Sequence, residues 1–421
     1  MTMPSAEPVA RESVSLDAWV IGLVSALVGL TALGFGRFAY ALLLPLMREG
    51  LDLSYTQAGF ISSANLFGFL TGALLGGSLA GVFGARPVVG TALALAALGA
   101  ITTASSHAVA LVALAQGLVG FGAGAGLVPA QNVPLAWFPP GRRGFASGLP
   151  SAGIGVGLVV TGLGLPVLLP LHVLGFAGWR LAWATIGIAL LIGSGFSFWL
   201  LRDPPSLARE TEPIRRAFFA PGIWHLCLVY FFFGFSYLSY VAFFGAAAAS
   251  RYEWPPPAIG GAWAVGGAFS IASGLIWGAL SDVTGRRLAM SLAFMVQAVS
   301  YLTMALIRWD GAVYVSVMLW GITAWAVPGL AVAVATDLLG ARLVYPAMAL
   351  VNVVGAFGQM SGPVVTGYAV DLTGSFVPGL LLASAVAFLG GAAALGLAET
   401  RPRDGMTPAP ARPRRRYIAG A

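Results

Sequence analysis

The chain has 421 residues, of which 58% are hydrophobic and 9% charged, with a formal net charge of +7 and one cysteine. About a quarter of the residues of a soluble globular domain are charged, so this balance excludes a soluble fold. Cys227 alone excludes an intramolecular disulfide framework, and the scattered His107, His172 and His225 offer no metal-ligand spacing.

Residues 1–17 contain Arg11, Glu12 and Asp17 but no apolar core with a small-residue cleavage site after it, so they read as a retained cytoplasmic segment and not as a signal peptide. Beyond them, apolar blocks of about 20 or more residues recur, each long enough to cross a hydrocarbon layer about 30 Å thick as a helix. The short alternating segments of a barrel are absent. Polar and Gly/Pro breaks predict twelve helices, at 18–47, 54–82, 87–105, 108–138, 143–171, 177–201, 220–250, 257–281, 286–307, 312–339, 343–371 and 375–398. The longest internal polar stretch, LRDPPSLARETEPIRRAF at 201–218, falls halfway. It separates an N-terminal six-helix bundle, 18–201, from a C-terminal one, 220–398, through a central loop at 202–219, and a basic tail follows at 399–421.

With the N-terminus in the cytoplasm, ten arginines fall in cytoplasmic loops (Arg86, Arg142, Arg143, Arg202, Arg209, Arg215, Arg216, Arg286, Arg287 and Arg342). Four fall in the opposite loops (Arg48, Arg180, Arg251 and Arg308), and the tail adds six on the cytoplasmic side. Both termini are therefore expected inside. The Pro/Arg-rich tail without apolar period reads as a disordered end near anionic lipid and not as a nucleic-acid arm.

The halves repeat one another. A shift of 201 residues places Gly59 on Gly260, Gly77 on Gly278, Gly84 on Gly285, Arg86 on Arg287 and Gly120 on Gly321, at the same helix numbers in each half. Each half begins on the same side of the membrane, so the repeat is parallel, with two bundles related by an axis along the membrane normal.

The loop GALSDVTGRR, 278–287, resembles the signature that the major facilitator superfamily carries between helices 2 and 3 and again between helices 8 and 9. The first copy, GSLAGVFGARP at 77–87, keeps Gly77, Gly84 and Arg86 but has Gly81 where that family has aspartate. The stretches GFGRFAYALLLPLM, LSYTQAGFISSANLFGFLTGALLGG, FPPGRRGFASGLPSAGIGVG and GWRLAWATIGI resemble the bacterial YbfB/YjiJ group. The last two are also similar to monocarboxylate and organophosphate carriers. The resemblance implies an all-α polytopic membrane protein with twelve transmembrane helices in two pseudo-symmetric six-helix bundles. It also implies a latch in which Asp282 and Arg286, one turn apart, meet the start of helix 5 near Arg142 and Arg143, with Arg86 in the equivalent loop of the first half. Two marks of drug exporters are missing: Ala113 stands in the arginine's place in ALAQG, 113–117, and GLPSAGIGVG does not match the antiporter motif of helix 5.

Arg37, within GFGRFAY, is the one charge deep inside a predicted helix. Taking helix 1 from Trp19 to Met47 gives about 43 Å of helix, with Arg37 roughly 6 Å from its midpoint. A charge at that depth costs at least about 2.5 to 3.5 kcal/mol and belongs on a cavity or a bundle interior. Some ten residues, about 15 Å, separate it from the helix end, too far for its side chain to snorkel. Its face on a 3.6-residue period carries Gly34, Tyr40, Ala41 and Leu44. Arg37 then either binds substrate or braces helix carbonyls. Asp282, Asp337 and Asp371 all fall at helix ends, so an anionic substrate would supply the missing counter-charge, its planar oxygens matched by the guanidinium and shared by Tyr40.

Other deep polar groups are candidates for the cavity wall. Ser62, Asn65, Phe69 and Gly72 share a face of helix 2; Gln131 and Asn132 lie between Pro129 and Pro134 in helix 4. Tyr230, Phe233, Tyr237 and Tyr240 form an aromatic stripe on helix 7, and Asn352 and Gln359 lie on helix 11. Each would serve equally as a bond between helices. The glycine runs at 117–126 and 148–157 let helices pack closely, and no strand precedes them as a nucleotide-binding loop would require.

The expected function is secondary transport of a small organic anion, a carboxylate with an apolar or aromatic body, across a bacterial inner membrane. Export of lipophilic or neutral compounds, with Arg37 only bracing helices, is the alternative. No buried carboxylate is available to carry a coupled proton, so proton symport is left open beside the small-molecule substrate. The sequence predicts a monomer in contact with membrane lipid, with no cofactor, metal or nucleic acid. No nucleophile, base or metal constellation marks an enzyme.

Overall fold

The protein is described by a computed structural model over residues 14–139, 143–171, 177–203, 216 and 218–398. Apolar sequence blocks become helices because a backbone in lipid must satisfy its own hydrogen bonds. Among the described residues, eleven helices are long and apolar enough to cross a membrane, and a twelfth consists of Pro256–Gly274 and Ile276–Thr284 meeting at 40°. In chain order the spans are span 1 (Leu16–Leu51), span 2 (Tyr55–Phe83), span 3 (Ala85–Ser105), span 4 (Val109–Trp137), span 5 (Arg143–Leu168) and span 6 (Gly178–Leu200). The second half follows as span 7 (Ile223–Tyr252), span 8 (Pro256–Thr284), span 9 (Arg286–Leu306), span 10 (Asp310–Leu339), span 11 (Ala347–Thr373) and span 12 (Val377–Leu395). Each predicted boundary lies within about a turn of the observed one.

Two expectations about continuity need correction. Span 1 is not one helix: α-helix over Leu16–Gly29 gives way to a π-helical turn over Leu30–Phe35, and the α-helix resumes at Ala39–Leu51. Gly36 and Phe38 donate their N–H groups five residues back, to Thr31 and Leu33, at 3.1 Å each. Thr31 encourages the distortion by donating its hydroxyl to Leu27 O at 2.8 Å, and Gly34 and Gly36 hold the helix weakly there. A π-turn accommodates an extra residue and changes the register between the segments before and after it, yet Tyr40 and Ala41 line one cavity with Arg37, so that part of the face expected from a 3.6 period is kept. Conversely, the predicted break between helices 10 and 11 retains helical bonding: Ala326–Thr373 is one run of 48 residues. Straight, it would be about 72 Å long, so it turns back between spans 10 and 11. Span 10 is interrupted instead at Ala324 and Trp325.

The repeat is visible in the packing. Gly84 and Gly285 have nearly the same backbone, φ 90° ψ 156° and φ 92° ψ 154°, a left-handed geometry open to glycine that turns each chain sharply into span 3 or span 9. Gly120 abuts the carbonyl of Asn65, and Gly321 abuts the carbonyl of Gly266, again 201 residues on. Gly157 packs on Gly34 of span 1, and Gly358 packs on Phe231 and Phe235 of span 7. The first half relies on glycine contacts between spans 2 and 4. The second is filled with aromatics: Trp263 and Trp320 stack at 5.1 Å, and Tyr240 and Tyr301 at 4.8 Å.

The halves meet along two seams. Span 2 lies on span 11 and span 5 on span 8, with span 1 against span 7 between them, where Gly245 abuts the carbonyl of Ala41. The described contacts run from the arginine-poor end, at Tyr55 and Gly367, to mid-membrane at Arg37. At the arginine-rich end, Arg286 holds Asp282 at 2.8 Å and Asp337 at 3.3 Å, all within the second half.

Candidate functional site

Arg37 sits at the interruption of span 1, where the chain has left one helical register and not yet entered the next. Interrupted helices at this depth line cavities in membrane proteins because their freed backbone groups need polar surroundings. The Arg37 side chain crosses to the other half, where Nη2 donates to Gln359 Oε1 of span 11 at 2.5 Å. Its guanidinium lies 5.2 Å from the centre of the Phe69 ring and 5.9 Å from that of Phe38. Among the described residues no carboxylate pairs with it. Two residues chosen separately from the sequence, Arg37 and Gln359, are thus brought together across 322 positions.

A small cavity of about 20 Å³ beside Arg37 is lined by Tyr40, Ala41, Ser62, Asn65, Leu238, Val241 and Ala242. That volume suits about one water molecule, so a larger occupant requires the halves or the Arg37–Gln359 bond to move. Tyr40 donates its hydroxyl to Ala58 O at 2.8 Å, so its proton is committed and the donor role expected of it is not open in this arrangement. Tyr237 of span 7 is buried, its hydroxyl has no partner among the described residues, and it lies with Tyr230 in electrostatic range of Arg37. Of the expected aromatic stripe, Tyr230 and Tyr237 are the residues that come near Arg37.

The other expected residues fall elsewhere. Tyr240 is fully buried in the second half, stacked on Tyr301, with its hydroxyl 2.8 Å from Ser316 Oγ. It belongs to the packing of spans 7, 9 and 10 because its ring points into its own bundle. Gln131 is half-buried and Asn132 exposed, the latter donating to Val128 O at 2.8 Å, and Asn352 is exposed. Asp282 pairs with Arg286 in the second half; Arg142 lies outside the described residues, as does the side chain of Arg143. The first loop has its own substitute for the carboxylate missing at Gly81. Asp203, after span 6, accepts from the Arg86 backbone N–H at 3.0 Å, while Arg86 Nε donates to Phe198 O at 2.5 Å.

Sequence reasoning passed over Trp325 at the break in span 10. Its ring meets Phe38 edge-on at 6.2 Å, so the two interrupted spans, one from each half, touch in mid-membrane. Its indole N–H is buried without a partner among the described residues. The sequence signal for the break is Pro328, which has no N–H to give to the carbonyl of Ala324 four residues back, with Gly329 beside it. Behind the cavity, Asn65 Nδ2 donates to Gln116 Oε1 and Gln116 Nε2 to Thr103 Oγ1, both at 3.1 Å, tying spans 2, 4 and 3 together.

The family described as "Uncharacterised MFS-type transporter YbfB" matches residues 29–395. A stretch of 161 residues is 25% identical to the probable sulfoacetate transporter SauU of Cupriavidus necator, covering 38% of this chain and 36% of that protein. The chain thus spans about a third of that relative's length. Among solved structures the chain is similar to a bacterial homolog of the human lysosomal transporter Spinster. Its inward-facing, unoccupied form gives a TM-score of 0.71 at 17% identity over 94% of this chain and 100% of that one. The occupied form gives 0.72 at 17% identity over 93% and 98%. At that identity the likeness shows the fold alone.

Proposed function

This chain belongs to the major facilitator superfamily, among the YbfB-type transporters, and from that premise we propose that it carries a small organic anion across a bacterial inner membrane by alternating access. Membrane transport of a small molecule comes with the family; the cargo class rests on one observation. Arg37 lies in mid-membrane with a neutral amide as its partner and no carboxylate among the described residues. A cation held there is stabilised by an arriving anion far more than a neutral site would be, because a low-dielectric surrounding strengthens the attraction. A carboxylate or sulfonate fits the planar fork, and Phe38, Phe69 and the ring of Tyr237 suit an apolar body. The partly matching relative named for sulfoacetate is consistent with a small anion.

The arginine bias supports a cytoplasmic side for the Arg286 end and both termini. The contact between spans 2 and 11 at Tyr55 and Gly367 then closes the periplasmic side, so the cargo exchanges with the cytoplasm in this arrangement. An anion on Arg37 takes the guanidinium from Gln359, and because Gln359 belongs to the other half, occupancy and the contact between halves compete. On the opposite swing, Asp282 leaves Arg286 for the start of span 5, near Arg142 and Arg143, and holds the cytoplasmic side shut. The protein works as a monomer embedded in lipid.

The test is a thermal-shift screen of the purified protein against carboxylates and sulfonates, since a ligand of the folded state raises apparent stability by mass action. The reading expects at least one anion to raise the transition temperature of the native protein and none to raise that of Arg37→Gln. Equal shifts in both proteins contradict it.

A further inference from the structure

Resting on the assignment of Arg37 as the anion anchor, we propose that the cargo carries a hydroxyl close to its carboxylate, as in a 2-hydroxy acid, and that Asn65 Oδ1 accepts the proton of that hydroxyl. The argument begins at Thr103, which is fully buried and donates its hydroxyl to Gly99 O at 3.0 Å. Its one proton is spent, so toward Gln116 it can only accept. Gln116, also fully buried, therefore turns Nε2 to Thr103 and Oε1 to Asn65. Asn65 must answer with Nδ2, at 3.1 Å.

That leaves Asn65 Oδ1, an acceptor without a protein partner among the described hydrogen bonds, on a residue that lines the cavity beside Arg37. The wall offers a second acceptor. Tyr40 lines the same cavity, and with its proton given to Ala58 O its oxygen can only receive. Ser62 alone on that wall rotates freely between the two roles.

A bare carboxylate satisfies Arg37 but meets these acceptors with nothing to give. An acceptor covered by cargo and left unmatched costs its desolvation, so the site discriminates against a cargo lacking a donor. An ammonium donor is disfavoured by the nearby guanidinium, and no carboxylate among the described residues lines the cavity to offset it. A neutral hydroxyl fits both demands.

Matched pairs test this on the purified full-length protein: glycolate against acetate, lactate against propionate, mandelate against phenylacetate, each by thermal shift and calorimetric titration. The hydroxy acid of the preferred pair binds about tenfold more tightly than its deoxy partner, the size of one hydrogen bond. In Asn65→Leu that preference falls to about twofold or less; Asn65→Ser is read in its place if Asn65→Leu does not reach the membrane. Equal binding within every pair, or a preference that survives in the Asn65 variant, overturns the proposal while leaving the anion anchor intact. Binding of neither member of any pair overturns both.

Discussion

Span 2 on span 11 and span 8 on span 5 are the same contact in the two copies of the repeat, and both bring a glycine against backbone, Gly59 on Pro363 and Gly260 on Gly162, yet among the described residues only the first adds side-chain hydrogen bonds across the seam. In the first, Asp371 caps the start of span 2, accepting from Tyr55 N at 2.8 Å, Thr56 N at 2.7 Å and Thr56 Oγ1 at 2.5 Å. Ser63 Oγ donates to Met360 O at 2.7 Å, and Arg37 reaches Gln359 at the inner end. The 201-residue offset places Pro256 and Pro257 opposite Tyr55 and Thr56, Pro170 opposite Asp371, Ala264 opposite Ser63, and Val159 opposite Met360. Leu238 and Leu158 stand for Arg37 and Gln359. The prolines have no N–H to cap, and the second seam closes by backbone approach, Gly162 on Gly260 and Gly267 on Leu158. In the proposed transport cycle, packed glycines would give the halves a contact without directional demands to rock along, and directional bonds would be exchanged one at a time for bonds to cargo.

Three substitutions press on this contrast, in falling order of effect. Gly162→Leu should be the most damaging, because even a Cβ there would come within 2.5 Å of Gly260 O, a backbone atom with no freedom to move aside. Transport should vanish, and overpacking of this kind costs about 1 to 3 kcal/mol or more; uptake and membrane level measured together separate a seam that will not close from a protein that will not fold. Asp371→Ala removes three acceptor contacts at a helix N-terminus and should lower stability by about 1 to 3 kcal/mol, read as a drop in transition temperature, with Asp371→Asn closer to the native value. Ser63→Ala should cost only about 0.6 kcal/mol, the mean for a hydrogen bond between membrane helices, measured the same way. A loss for Ser63→Ala as large as that for Asp371→Ala would mean the polar seam is one cooperative unit and not a series of exchangeable bonds.

Much of the architecture is legible in the sequence, since hydropathy alone sets where a chain must be helical in lipid, and the repeat shows in the spacing of Gly59, Gly84 and Gly120. Arg37 is legible as a deep charge for the same reason. Its partner is not: Gln359 is one of several polar residues in apolar helices, and no local pattern links it to a residue 322 positions away. The π-turn escapes because one extra residue changes the direction of side chains without changing mean hydropathy. Asp371 reads correctly as a helix-end residue, but its task, capping a helix of the other half, depends on packing. Tyr240 and Tyr237 look alike on a helical wheel, and only the surroundings of spans 9 and 10 decide that the first is sealed in while the second keeps an unpartnered hydroxyl.

The account turns on whether Arg37 meets the anion. Uptake of an anion identified by the stability screen, measured in proteoliposomes with native protein, Arg37→Gln and Arg37→Lys at matched protein content, is the direct test. The account predicts that Arg37→Gln abolishes uptake and that Arg37→Lys, which keeps the charge but loses the planar fork, is severely impaired. Uptake by Arg37→Gln at the native rate would contradict it and leave Arg37 as a brace between the halves.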